Sequence, residues 1–222
     1  NSLYQFSVIM RETKKGNESK GLVGGKNYVR FAQCFGMNKE FYNHAIGNIM
    51  VAENAKVLDV GCGPGALSFA LAQKDVKNIE ITGIDISEAQ LTYARSQAHT
   101  YNAALSFVNM SMDELAFPDN HFDVIVSSMA LHETPPEVRR AAIKEVSRTL
   151  KPGGFFIYTD WSRPRFGLWG IIWFPLVCRG KRNKDNWNNA YLSLCSDARL
   201  YRVEDGYINS IARRQVFKKS EE

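Results

Sequence analysis

Between Lys56 and Gly65 the chain reads Lys-Val-Leu-Asp-Val-Gly-Cys-Gly-Pro-Gly, and further on it reads Gly83-Ile-Asp-Ile86. An apolar run passes Asp59 and enters a turn carrying Gly61, Gly63 and Gly65. Glycines let the backbone approach a ligand with no Cβ in the way. Asp85 ends the next apolar run, where a carboxylate accepts hydrogen bonds from a ribose diol. Together these residues predict a pocket for an adenosine-bearing cofactor. An acid just before the first glycine suits a ligand with a positive end and an amino group, and opposes a pyrophosphate. The same turn also reads Gly61-Cys-Gly63-Pro-Gly65-Ala66, a Gly-x-Gly-x-x-Ala dinucleotide fingerprint with Asp85 on the ribose of NAD. On these residues alone, an NAD-binding oxidoreductase remains the alternative.

The surrounding text predicts what positions them. Strands are expected at Val57–Val60, Ile79–Ile84, Leu105–Val108, Phe122–Ser127 and Phe155–Thr159, separated by helices at Ala66–Gln73, Ser87–Thr100 and Pro136–Leu150. Ser87 is the expected N-cap, Pro136 sits in a first helical turn, and Lys151-Pro-Gly-Gly154 reads as a sharp turn. Apolar strands alternating with helices give an α/β fold, a doubly wound and mostly parallel sheet with helices on both faces. Upstream, apolar spacing from Asn27 to Ala52 predicts two helices broken near Gly36. Residues 1–26 read as a flexible N-terminal arm, with partial order over the pocket as the variant, and 27–222 as one domain. Downstream, a helix is expected around Asn186–Cys195. Leu200–Val203 and Ser210–Phe217 are the expected closing antiparallel strands, with Gly206 in or near their connection.

Val57-Leu-Asp-Val-Gly-Cys-Gly-Pro-Gly65, Gly83-Ile-Asp-Ile-Ser87, Phe117-Pro-Asp-Asn-His-Phe-Asp-Val-Ile125 and Leu150-Lys-Pro-Gly-Gly154 resemble, in order and spacing, the motifs of class I S-adenosylmethionine-dependent methyltransferases. The chain is most similar to the small-molecule enzymes of quinone biosynthesis, over roughly residues 27–160. The resemblance implies a seven-stranded Rossmann-like sheet whose last strand is antiparallel, S-adenosyl-L-methionine as cofactor and S-adenosyl-L-homocysteine as product. It places Asp59, Gly61 and Gly63 against the methionine part, Asp85 on the ribose, Ile86 on the adenine and Ser127 near the sulfonium. The family carries an acid after the third strand that binds the adenine amino group; here that place is Ser111, beside Met112, with Asp113 two residues on.

On the acceptor side, His132 in Ser127-Ser-Met-Ala-Leu-His-Glu133 follows the fourth strand. It titrates near neutrality and is the candidate general base, the alternative being a histidine that packs the loop. Glu133 and Asp160 are weaker candidates. All four tryptophans fall between Trp161 and Trp187, and Phe166–Cys178 is an apolar run with basic flanks. Residues 161–197 therefore read as an aromatic-rich acceptor lid or insertion, as a membrane-surface element, or as a packing or dimer helix. Tyr28, His132, Asp160, Trp161, Trp169 and Trp173 are the residues expected around a small, apolar acceptor.

The net charge of +5 fits a mixed, solvated surface. With no Asn/Asp-Pro-Pro-Tyr signature and no basic cluster, a nucleic-acid acceptor is not expected. Cys34, Cys62, Cys178 and Cys195 form no Cys-x-x-Cys pair and have no histidine at zinc spacing, so no metal is expected and the thiols are read as reduced. No secretion signal or membrane-spanning run is read, and the expected setting is cytoplasmic, with peripheral membrane contact as the variant. A further alternative is a non-catalytic cofactor-binding partner protein that uses the aromatic segment as an interface.

Overall fold

The computed structural model describes residues 10–19, 25–34, 36–49, 51–165, 167, 171 and 189–221. Its centre is a seven-stranded sheet. Five strands run parallel: β3 (Lys56–Val60), β4 (Glu80–Asp85), β5 (Ala104–Asn109), β6 (Phe122–Ser128) and β7 (Leu150–Trp161). β8 (Leu200–Tyr207) and β9 (Ala212–Lys219) complete it in the spatial order β5-β4-β3-β6-β7-β9-β8. β9 is antiparallel to both its neighbours, so the last strand is the reversed one. The chain winds outward from β3 to β5, then restarts on the other side of β3 with β6. The carboxyl end of β3 is therefore the place where ligands bind in such sheets.

One face of the sheet is covered by α1 (Lys26–Cys34), α2 (Lys39–Ile46), α3 (Ala66–Ala72) and α4 (Glu88–Ala98). Ala45, Ile46, Leu67 and Leu71 pack there against Val57, Ile81, Val124, Val126 and Ile157. The other face takes α5 (Pro136–Thr149) and α6 (Ala190–Asp197), whose Ile143, Val146, Tyr191 and Cys195 meet Leu58, Ile84, Ile125, Phe156 and Phe217. Alternate residues of each central strand thus enter opposite cores, which is why those strands are apolar throughout. Asn38 caps α2, its Oδ1 accepting the Phe41 N–H at 3.0 Å. Arg214 of β9 donates to the carbonyls of Ala45 and Ile46 at the other end of that helix, a cation where the helix dipole is negative.

Three segments differ from the reading of the sequence. Within residues 1–26, β1 (Met10–Thr13) and β2 (Gly16–Ser19) form an antiparallel hairpin. Lys151-Pro-Gly-Gly154 does not precede a short strand: β7 begins at Leu150, which pairs with Phe122, and the next pair is Val124 with Phe155, so the turn survives as a bulge inside one long strand. Gly206 lies inside β8, opposite Arg214, and the connection is residues 208–211. Charge explains the longer strand: Asp205 accepts from Arg213 and Arg202, and Glu204 from Arg214.

Candidate active site

At the carboxyl end of β3 the chain turns through Gly61, Gly63 and Gly65, with φ of +70°, +52° and +86°. The N–H groups of Gly61 and Cys62 both donate to the Ile84 carbonyl at 2.9 Å, which locks the turn to β4. A Cβ on Gly61 would lie 2.4 Å from the Ala130 Cβ and 3.5 Å from the Met112 Cε, so the turn, the loop after β5 and the loop after β6 converge there. A Cβ on Gly63 would meet nothing within 4 Å. Gly63 is therefore bare main chain facing open space beside Asp85, a cradle suited to the cofactor that the residues predict.

Asp85 ends β4. Its Oδ2 accepts the Gly63 N–H at 2.9 Å and its Oδ1 the Ser87 N–H at 2.8 Å. The carboxylate is thus fixed between the glycine turn and the start of α4. Asp59 is 1% exposed and accepts from the Ser68 hydroxyl at 2.6 Å. Burial pushes its pKa up to about 7, against the Ser68 hydrogen bonds and with help from Asp85. Ile86 follows Asp85 half-buried at the rim, and its carbonyl accepts from Asn109 at 3.3 Å. Ser111 donates its hydroxyl to Asp113, whose other oxygen holds Lys15 at 2.6 Å. Ser127 is buried and donates to the Val60 carbonyl at 2.9 Å, tying β6 to the end of β3. Tyr28 of α1 is half-buried; burial and the carboxylates of Glu133 and Asp85 raise its phenol to about 12.

After β6 the chain passes through Met129 at φ +57° and enters a single 3₁₀ turn, Leu131–Glu133. The Met129 N–H donates to the Thr159 carbonyl at 2.8 Å, which carries the β6–β7 ladder one residue past the strand. His132 lies between two carboxylates: its backbone N–H and its Nδ1 both meet Asp160, and its Nε2 stands 3.1 Å from Glu133. Burial works against its charge, but Asp160 and Glu133 prevail and raise it to about 10. The ring is therefore an imidazolium at neutral pH, with a carboxylate at each nitrogen. This arrangement supports His132 as the residue that packs the loop rather than as a base. The Trp161 N–H also donates to Asp160 at 2.8 Å, and its ring lies edge-on to His132 at 6.1 Å.

Among the described residues, contacts join Gly63 to Asp85, place Gly61 beside Met112, tie Ser127 to the end of β3 and link His132 and Trp161 through Asp160, whereas a Cβ on Gly65 would meet Phe69 at 2.9 Å and Phe107 at 3.1 Å. Trp169 and Trp173 lie outside the described residues. Two participants carried no sequence signal. Arg139, 1% exposed on α5, donates to the carbonyls of Leu131 and Thr134 and braces the His132 turn from below; it reads as one more helical surface charge. The Lys15–Asp113 pair joins residues far apart in the chain, which no local pattern reveals.

Residues 57–154 match the family model described as a methyltransferase domain. The chain is 28% identical over 144 residues to a ubiquinone/menaquinone biosynthesis C-methyltransferase of Geotalea daltonii, covering 64% of this chain and 60% of that protein. It is 34% identical over 116 residues to a fatty-acid O-methyltransferase of Mycolicibacterium smegmatis, covering 52% and 40% respectively. The chain therefore spans less than two thirds of these relatives. Among solved structures, a SAM-dependent methyltransferase from Methanosarcina mazei shares the fold with a TM-score of 0.63 at 23% identity, over 78% of this chain and 95% of that one.

Proposed function

On the premise that residues 57–154 are a class I methyltransferase domain of the S-adenosylmethionine-dependent kind, we propose that this protein transfers a methyl group from S-adenosyl-L-methionine to a small, apolar acceptor. The observation that carries this reading is the pairing of bare main chain at Gly63 with the fixed carboxylate of Asp85. S-adenosylmethionine supplies a methyl group on a positively charged sulfur, so the reaction is a displacement that needs no protein nucleophile. What the chain contributes is position and dryness.

Gly61 and Gly63 hold the amino-acid end of the donor and Asp85 takes the ribose hydroxyls. Asp59, below the turn, titrates near neutrality, and a cationic ligand above it would favour its charged form. Met112 and Ala130 narrow the crevice from its two sides. Tyr28 closes it from α1, and the Asp160–His132–Glu133 clamp holds the loop after β6 against β7. The acceptor class rests on two likenesses, to proteins named for a quinone and for a fatty acid. Tyr28 and Trp161 at the mouth offer apolar walls consistent with it.

The test is incubation of the purified chain and methyl-labelled S-adenosylmethionine with a protein-free, solvent-partitioned cell extract. Label entering the organic phase, in a product heavier by one methylene group, is the expected result. Label that enters only water-soluble compounds or macromolecules would contradict the apolar acceptor.

A further inference from the structure

The turn of the β1–β2 hairpin touches both sides of the crevice. Lys15 Nζ lies 2.6 Å from Asp113 Oδ2, in the loop after β5. A Cβ added to Gly16 would sit 3.3 Å from the Glu133 carbonyl and 3.4 Å from the Thr134 Cγ2, in the loop after β6. These are the two loops that meet over Gly61 through Met112 and Ala130. The turn is also internally tied: the Thr13 hydroxyl donates to the Gly16 carbonyl at 2.6 Å and accepts from the N–H groups of Lys15 and Gly16. Further along, the Gly25 N–H donates to the buried Gln90 Oε1 at 2.9 Å, which returns the chain to α4.

We propose that Lys15 is a positioning residue for the cofactor: by pairing with Asp113 it straps the hairpin turn across the crevice, and the strap sets how long the cofactor stays bound. This rests on the reading of the crevice as an S-adenosylmethionine site. Asp113 is held from two sides, by the Lys15 ammonium and the Ser111 hydroxyl, and those partners keep its carboxyl below the usual range despite its partial burial. The Lys15 side chain is 45% exposed, so the pair is a solvent-facing latch rather than a buried strut. Release of the cofactor is coupled to the opening of this exposed ion pair, and salt weakens such a pair.

The experiment measures S-adenosylhomocysteine dissociation by stopped-flow fluorescence for the full chain and for Lys15→Met, Lys15→Arg and the charge swap of Lys15→Asp with Asp113→Lys. Exposed ion pairs of this kind correspond to a three- to fivefold effect, so Lys15→Met is expected to dissociate about three- to fivefold faster. Lys15→Arg and the charge swap are expected to return to near the parent rate, and added salt to accelerate the parent but not Lys15→Met. An unchanged rate in Lys15→Met, or a swap as fast as Lys15→Met, overturns the strap. Failure of the parent chain to bind S-adenosylhomocysteine would instead contradict the cofactor site itself, and the strap with it.

Discussion

The carboxylate on each ring nitrogen of His132 favours a histidine that packs the loop over a general base, the two readings it had in the sequence. The folded-state pKa of about 10 lies above the ordinary 6.5, so the protonated ring stabilises the fold fully below pH 6.5. That contribution is lost as pH rises toward 10. Urea unfolding of the parent chain at pH 6, 8 and 10 is expected to show falling stability, and His132→Asn a flatter profile with roughly 3 kcal/mol less stability at pH 6. Equal slopes for the two proteins would remove His132 from the clamp. Arg139 and Lys15 mark the limit of sequence reading at this scale. Each acts through partners that only the fold brings near, whereas Asp59, Asp85 and the glycines were legible because strand, turn and strand are contiguous.

At the scale of elements, the glycine turn makes two opposite demands on its neighbours. Gly61 is packed: a methyl group there collides with Ala130 at 2.4 Å, in a backbone conformation that side chains disfavour. Gly61→Ala is expected to cost about 3 kcal/mol of stability in thermal or urea unfolding, partly restored by adding Ala130→Gly. Gly63 is open. Gly63→Ala is expected to cost only about 1 kcal/mol of stability for its left-handed φ, while weakening cofactor binding at least about tenfold, or ~1.4 kcal/mol. The reverse pattern would place the ligand elsewhere. The core strands and the helices between them were readable from apolar runs and caps. The ends of β7 and β8 were not, because a bulge at Lys151–Gly154 and the ion pairs of Glu204 and Asp205 extend strands past residues that normally stop them.

For the whole molecule, the order β5-β4-β3-β6-β7-β9-β8 sets the carboxyl ends of β5, β4, β3 and β6 side by side. The turn of the β1–β2 hairpin touches the loops after β5 and β6. Parallel strands with right-handed crossovers followed from alternation in the sequence, and the antiparallel closing strands were read from the chain and implied again by the family resemblance. The hairpin followed from neither: its few residues carry no apolar periodicity and are held by contacts made across the chain. The central claim is that this crevice grips a methyl donor by its sugar and by bare backbone. Isothermal titration calorimetry of the full chain with S-adenosylhomocysteine and, separately, with NADH tests it most directly. Saturable one-to-one binding of S-adenosylhomocysteine and no heat from NADH is the predicted result; tight NADH binding with none for S-adenosylhomocysteine would contradict it.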